Sequence, residues 1–529
     1  MSRAVRLPRT AVWAAVTGVV SAAALLAANE LLALLVARGS SALLAVGSFV
    51  VDIVPRPLKE FAITTFGSFD KVALLLGLAV GVVIAAAVAG ILEYRRRGVG
   101  AVLLAVGGAL ALAAIVTRPG AGPFAWLPPL VGTAAGVACL VLLTSRLRRW
   151  AGASEPAANS TLPESAEQGD PAARVDRRSF FRLTLVVAAS AVVVGVGARM
   201  ISAATSSVEA VRKALRLPAP RSRVTIPDGA DLDVPGLSPV ITPNADFYRV
   251  DTALTVPTVD PEAWRLVIDG MVDRRIELTL DDLFAMGLDE YAITLTCVSN
   301  EVGGDLVGNA VWLGIPLRDV LRKAGVSGSA DMVLSRSIDG YTASTPLEVL
   351  LDDGRDAILA VGMNGEPLPL EHGFPVRMVV PGLYGYVSAT KWLTQLTVTT
   401  FAQDEAYWTP RGYSAKAPIK FSSRVDTPKI GTAVSAGRVP IAGMAWAQTV
   451  GIDRVEVSID DGDWQRAELS APISDDTWVQ WHLAWDATPG THYISVRAVD
   501  KAGNLQIKEA APIAPDGSSG WQRTLVSVT

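Results

Sequence analysis

The sequence predicts a multidomain protein in three parts: an N-terminal bundle of transmembrane α-helices, a mixed α+β domain, and a C-terminal β-sandwich of immunoglobulin-like kind. Three observations carry this prediction. The first two hundred of the 529 residues are dominated by Ala, Val, Leu and Gly. Short strands then alternate with short helices as far as Thr400. Beyond Pro418 the pattern turns to alternating strands punctuated by turn signals.

Length alone argues for several domains, because the chain exceeds what one ordinary hydrophobic core supports. The formal net charge of -4 at pH 7 is small for this size and suggests no nucleic acid or other polyanion as partner. Of the two cysteines, Cys139 lies in an apolar run and Cys297 stands alone in the polar part, so no disulfide can form within that part.

Residues 11–37, 71–92, 99–117 and 124–145 are each long enough to cross a bilayer, which takes about 20 apolar residues. They define a transmembrane region over residues 1–150. The piece at 41–54 is shorter, carries Asp52 and stops at Pro55, and reads as re-entrant or interfacial. With that piece not crossing, three arginine clusters fall on one side: Arg3, Arg6 and Arg9, then Arg95, Arg96 and Arg97, then Arg146, Arg148 and Arg149. The positive-inside rule makes that side cytoplasmic. Residues 151–176, rich in Ala, Pro, Ser and Glu, read as a cytoplasmic linker.

Residues 177–200 open with Arg177, Arg178, Ser179, Phe180 and Phe181 and continue into an apolar fifth span. They resemble a twin-arginine export signal inside the chain, and they also suit an ordinary positive-inside flank. On either reading the remainder lies outside the cytoplasm, on a multi-pass cell-membrane protein. Three histidines, His372, His482 and His492, all lie outside the spans. Haem held by paired histidines in the bilayer is therefore excluded, as is covalent haem for want of C-x-x-C-H, and two cysteines cannot hold an iron–sulfur cluster. Glu30 is the one carboxylate well inside the first span, with a functional reading and a helix-packing or export-anchor reading of equal weight.

Residues 201–239 read as a tether. A strand from Trp264 to Ile268 ends at Asp269-Gly270, a helix from Leu278 to Met286 opens at Thr279 and stops at Gly287, and a second helix runs from Pro316 to Lys323 before Gly325. Cys297 ends a β-branched strand and is followed by Ser299, Asn300 and a glycine pair. A thiol so placed suits a soft ligand in an irregular loop, against the plainer reading of a small buried hydrophobe. Downstream, His372 and Arg377 bracket a Gly-Phe-Pro turn, and Gly382, Gly385, Ser388 and Lys391 follow. Cations and exposed amides converging in this way suit a phosphate or pyrophosphate.

In the C-terminal part, Asp461-Gly462 marks a hairpin, and His482 and His492 fall on strands. Asp460, Asp461 and Asp463 read as a solvated hairpin tip in preference to a calcium site.

The segment TCVSN with its following V-W-x-G-x-x-L, the HGFPVR…VPG…KWL block and the upstream FYR stretch resemble the sulfite oxidase family of molybdopterin enzymes, here in a membrane-anchored bacterial type. The resemblance covers residues 240–529. It implies a molybdopterin-binding α+β domain at 240–415 and an immunoglobulin-like domain at 416–529 that serves dimerisation. It also implies Cys297 as the molybdenum ligand, and pterin contacts from His372, Arg377, Ser388, Ala389, Thr390 and Lys391. Phe247, Tyr248 and Arg249 match the upstream aromatic stretch, with Asn244 beside them. Tyr413 matches the active-site tyrosine of a W-x-x-R-x-Y pattern that includes Trp408 and Arg411. Arg249 and Tyr413 then supply charge or a proton to the reacting substrate.

The sequence departs from the family's animal members in one motif. Those follow the cysteine with Asn and an arginine pair, whereas here Asn300 precedes Glu301 and Val302. A carboxylate beside a doubly charged anion is unfavourable, which leaves Arg249 as the matching cation. No haem domain accompanies the molybdenum domain, so the electrons belong to a separate partner, a quinone or a cytochrome. The implied activity is oxygen-atom transfer to or from a small S- or N-containing substrate, with the direction open. The spans serve as anchor, quinone contact or docking site. A hydrolase is disfavoured by the lack of G-x-S-x-G. The competing reading is a membrane-tethered binding or adhesion protein without redox activity.

Overall fold

The computed structural model describes residues 9–36, 46, 47, 49, 50, 65, 70–117, 123–152, 178–192, 207–253 and 255–529. It divides into two compact units, Met1–Ser206 and Ser207–Thr529.

The N-terminal unit contains helices α1 (Arg9–Val36), α2 (Asp70–Arg95), α3 (Val99–Val116) and α4 (Leu127–Gly152). All four are long and apolar enough to cross a membrane. Their outward faces are apolar, as at Leu76, Val102 and Leu110, which suits lipid as solvent. Small residues bring the backbones together: a Cβ at Gly18 would strike Ala86 and Gly90, and one at Gly90 would strike Ala14. Helix α4 outruns the apolar stretch 124–145 and carries Arg146, Arg148 and Arg149 on its last turns. Arg148 donates to the carbonyls of Glu93 and Tyr94, while the Glu93 carboxylate accepts from Gly98 and Ala101 at 3.0 Å each and so caps α3.

Residues 178–192 form a fifth helix, α5. Phe180 is fully buried, with its ring stacked on Trp150 at 5.7 Å and edge-on to Trp13 at 6.2 Å. Arg177, most of the 41–54 piece, the linker at 153–176 and the rest of the fifth span lie outside the described residues.

The second unit begins with helix α6 (Ser207–Ala214) in the stretch read as a tether. Arg212 is buried there, bonded to Glu209, Glu366 and the Pro367 carbonyl. Farther along, Val240 is 4% exposed and its carbonyl accepts from Asn309 and Trp478. Residues 207–243 are thus bonded into the folded unit, because their backbone groups have partners on both of its domains.

The α+β domain has two sheets. The first runs β2 (Ile276–Leu278), β1 (Leu266–Gly270), β10 (Leu393–Thr399), β5 (Met332–Ser337), β6 (Thr342–Pro346), with β1 and β10 parallel. The second runs β3 (Asp289–Thr296), β4 (Val307–Pro316), β7 (Ile358–Met363), β8 (Glu366–Pro367), and β9 (Arg377–Val379) pairs with β7. Thr279 opens helix α7 (Leu280–Ala285) through a reciprocal capping box with Asp282. Helix α8 (Leu317–Ala324) ends at Gly325, whose φ of +76° favours glycine.

Beyond this domain, two antiparallel-rich sheets of four and five strands share one core, to which Ile441, Trp481, Ile494 and Val496 contribute. The residues at positive φ in the Asp-rich hairpin are Asp460 and Asp461, one position before the Asp-Gly pair. Their carboxylates are engaged: Asp460 pairs with His492 and Asp461 with Arg523.

Candidate functional site

Strand β3 is buried from Ala292 onward and delivers Cys297 at its end. The loop that follows is fastened locally and from a distance. Cys297 N–H donates to Leu306 O at 2.9 Å, Asn300 Oδ1 accepts from Leu306 N–H at 2.9 Å, and the C-terminal domain adds Ser518 Oγ to Asn300 O and Arg424 Nη1 to Gly304 O. Cys297 is 8% exposed and its Sγ accepts from Ser299 N–H at 3.4 Å. Burial pushes the thiol's pKa up, and the Ser299 contacts and the Lys391 charge oppose that rise.

The thiol opens into a cavity with about 940 Å³ of empty space, its mouth included, which His372, Arg377, Ala389 and Lys391 also line. Gly373, at φ +112°, turns the chain between His372 and Phe374. His372 is 2% exposed, and burial followed by the Arg377 charge pushes its pKa down to about 4. The neutral ring faces the Asn244 carbonyl through Nε2 at 3.1 Å. A carbonyl only accepts, so Nε2 carries the proton and Nδ1 is left as an acceptor.

Arg377 donates to the His372 and Met378 carbonyls, and its second terminal nitrogen has no protein partner among the described residues. Burial lowers its pKa to about 10. Lys391 is 9% exposed, bonds Asp251 at 2.7 Å and the Glu371 carbonyl at 2.9 Å, and is held down to about 8 by burial. Next to it, Trp392 sits at φ +50°, a strained conformation for a bulky residue, with its indole N–H on the Leu370 carbonyl at 2.8 Å.

Of the upstream residues, Phe247 and Tyr248 reach the cavity, stacked at 5.3 Å. Gly308 makes room for them, since a Cβ there would come within 2.8 Å of the Phe247 ring. Asn244 instead ties Met363, Glu366 and Asn364 together. Arg249 is not part of the cavity lining; it is partly exposed and pairs with Asp251 at 2.8 Å. Ser388 and Thr390 also turn away, toward the Leu383 and Tyr384 carbonyls and toward Ser335 Oγ. Tyr413 and Trp408 line the cavity edge-on at 5.2 Å, whereas Arg411 packs on the Tyr407 ring at 3.7 Å. Glu301 is exposed and outside the lining.

Sequence reasoning did not single out Asp251, Ser337, Asp339, Tyr341 and Tyr386, all of which line the cavity. The one available signal was the Asp339-Gly340 turn between two strands, which sets Ser337 and Tyr341 at its rim. Ser337 Oγ is buried without a hydrogen-bond partner among the described residues, as suits a group that bonds a polar ligand.

Among the described residues no group of three or more His, Cys, Asp or Glu side chains could hold a metal ion. A metal bound to Cys297 therefore needs ligands from a cofactor. The cavity suits one: it offers a soft sulfur donor, two buried cations for an anionic moiety, the Nδ1 acceptor and the unsatisfied Ser337 hydroxyl.

Comparison with known proteins defines the class first. Residues 253–408 match the family model of the oxidoreductase molybdopterin binding domain, and residues 415–513 that of the Mo-co oxidoreductase dimerisation domain. Chicken sulfite oxidase is 31% identical over 52% of this chain and 69% of its own length. Mouse mitochondrial sulfite oxidase is 32% identical over 54% of this chain, and the match spans 62% of the mouse protein. Spinach NADH nitrate reductase is 29% identical over 47% of this chain and 34% of its own length. The chain belongs to the sulfite oxidase family of molybdopterin-dependent oxidoreductases.

Proposed function

We propose that the protein is a membrane-anchored molybdopterin oxidoreductase that transfers an oxygen atom to or from a small S- or N-containing substrate on the extracytoplasmic side. The observation that carries this reading is one cavity lined by the Cys297 thiol and by the buried cations Arg377 and Lys391. Bound there, the cofactor supplies a molybdenum held by dithiolene sulfurs and the cysteine thiolate, competent for two-electron oxygen-atom transfer.

The chain's own residues bind, orient and exclude water. Arg377 and Lys391 neutralise the cofactor's anionic end, His372 presents Nδ1 to a donor, and Ser337 fills its hydrogen-bonding capacity on the ligand. Tyr413 presents its phenol at the cavity wall as the proton donor to the substrate. Phe247, Tyr248, Tyr341, Tyr386 and Trp408 keep the wall apolar and dry.

The charge pattern favours a neutral S-oxide or N-oxide over sulfite. Asp251 pairs with both Lys391 and Arg249, and Asp339 adds a carboxylate to the lining, so the cavity keeps little positive charge beyond what the cofactor's anionic end takes up. Removal of Glu301 from the cavity relieves only part of the penalty on a dianion.

The four apolar helices and α5 support the anchoring, and the arginines at one end of the bundle support the assignment of sides. The two-sheet C-terminal domain is, on this reading, an immunoglobulin-like module that joins two copies, and a separate quinone or cytochrome exchanges the electrons. Molybdenum and pterin analysis of the intact protein tests the proposal, together with turnover on a panel of sulfite, sulfoxides and N-oxides. About one molybdenum per chain with sulfoxide or N-oxide turnover is expected, and a metal-free, inactive protein would leave a binding module instead.

A further inference from the structure

The N-terminal unit holds a second cluster of cations. Arg146 of α4 and Arg178 and Arg182 of α5 line one pocket with Ser179, Leu183 and Val186, about 950 Å³ of empty space with its open mouth included. Arg178 and Arg182 are four residues apart and share one face of α5. Arg146 donates to the Ser179 hydroxyl, and the burial of Phe180 between Trp13 and Trp150 fixes α5 at this level.

None of the three guanidinium groups pairs with a carboxylate among the described residues. Glu93, at the same end of the bundle, has its oxygens taken by the Gly98 and Ala101 amides. Packed helices thus hold like charges around a space that, among the described residues, no carboxylate neutralises and that suits an anion.

The surroundings name the class of anion. Trp13, Tyr94 and Trp150 form an aromatic cluster at this end, as expected at a membrane–water interface. Beyond the arginines the pocket turns apolar at Leu183 and Val186. Leu142, one helical turn from Arg146, is 55% exposed and Val186 is 59% exposed. Cations above an apolar track match a phosphate group above an acyl chain.

We propose that Arg146, Arg178 and Arg182, with Ser179, bind the phosphodiester headgroup of an anionic phospholipid, which clips α5 to the bundle.

Native mass spectrometry of the full-length protein, released from nanodiscs of mixed phosphatidylcholine and phosphatidylglycerol, tests this. Retention of phosphatidylglycerol and loss of phosphatidylcholine are expected. Arg146→Gln, Arg178→Gln and Arg182→Gln together should weaken that retention roughly 100-fold, at about 1 kcal/mol per basic residue. The corresponding triple Lys variant should keep most of it. Should the triple Gln variant fail to insert, exposed Arg182→Gln alone should still cost about 5-fold. Undiminished retention in the Gln variants, or equal retention of both lipids, would overturn the proposal. Displacement of the lipid by millimolar inorganic phosphate would assign the pocket to a free anion and overturn it as well.

Discussion

The cations of the Cys297 cavity and those of the helical bundle live in opposite solvents. Arg377 and Lys391 are 5% and 9% exposed, their pKa values lie below the ordinary range, and backbone carbonyls or Asp251 accept their hydrogen bonds. Arg178 and Arg182 are exposed and carry no carboxylate partner among the described residues. Desolvating a cation is costly, and a fold tolerates it where a permanent partner compensates. The buried pair therefore suits a permanently bound anionic group, as the proposed cofactor would be, whereas the exposed cluster, screened by solvent, suits a ligand that exchanges.

That contrast can be broken most sharply at Cys297, the proposed metal ligand. Cys297→Ser should abolish molybdenum-dependent turnover, by a factor of at least about 1,000, while far-UV circular dichroism stays unchanged. Full activity in the purified variant would remove the thiol from the metal.

Arg377→Met comes next. Loss of the pterin is expected, while the cofactor-free variant should unfold no more easily than cofactor-free wild type, because an uncompensated buried charge is gone; a gain of about 2 kcal/mol in chemical denaturation is expected. An apoprotein weakened by this change would mean that Arg377 serves the fold itself.

His372 gives a pH signature of similar size. Its folded pKa of about 4 lies below its ordinary 6.5, so between these values the unfolded chain binds the extra proton. Stability should fall as pH drops from 6.5 to 4, by about 3 kcal/mol, and level off below that. His372→Asn should flatten this slope in urea titrations of the cofactor-free protein.

The smallest effect belongs to Arg249. Its ion pair with Asp251 is partly exposed, and Arg249→Gln should cost about 0–1 kcal/mol in stability. Its effect on KM for an anionic substrate should stay below about 10-fold. A thousandfold loss of kcat would return Arg249 to the reacting centre.

Much of the site was legible because its motifs are local. A β-branched strand running into Ser-Asn and a glycine pair marks the loop of Cys297, and a Gly-Phe-Pro bend between His372 and Arg377 carries its geometry in its own residue types. Phe247 and Tyr248 were visible as neighbours and reach the cavity together. Ser388 and Thr390 were just as visible in sequence, yet their hydroxyls are consumed by nearby backbone and by Ser335. Nothing in a linear pattern tells which partner a hydroxyl finds. Ser337 is the converse case: it comes beside the Lys391 loop only because β5 pairs with β10 in the register that sets Ser337 opposite Leu393.

By itself the sequence determined the order of parts, the apolar spans and the turn and cap residues, and it singled out Cys297 as the candidate sulfur ligand, since each depends on composition or on neighbours a few positions apart. Tertiary structure alone decided which polar groups face the cavity and which cations are desolvated. It also decided that residues 207–243 belong to the fold and that Phe180 locks α5 against α4. Those outcomes depend on side chains far apart in the chain competing for the same partners, and the competition is resolved only when the strands and helices have packed.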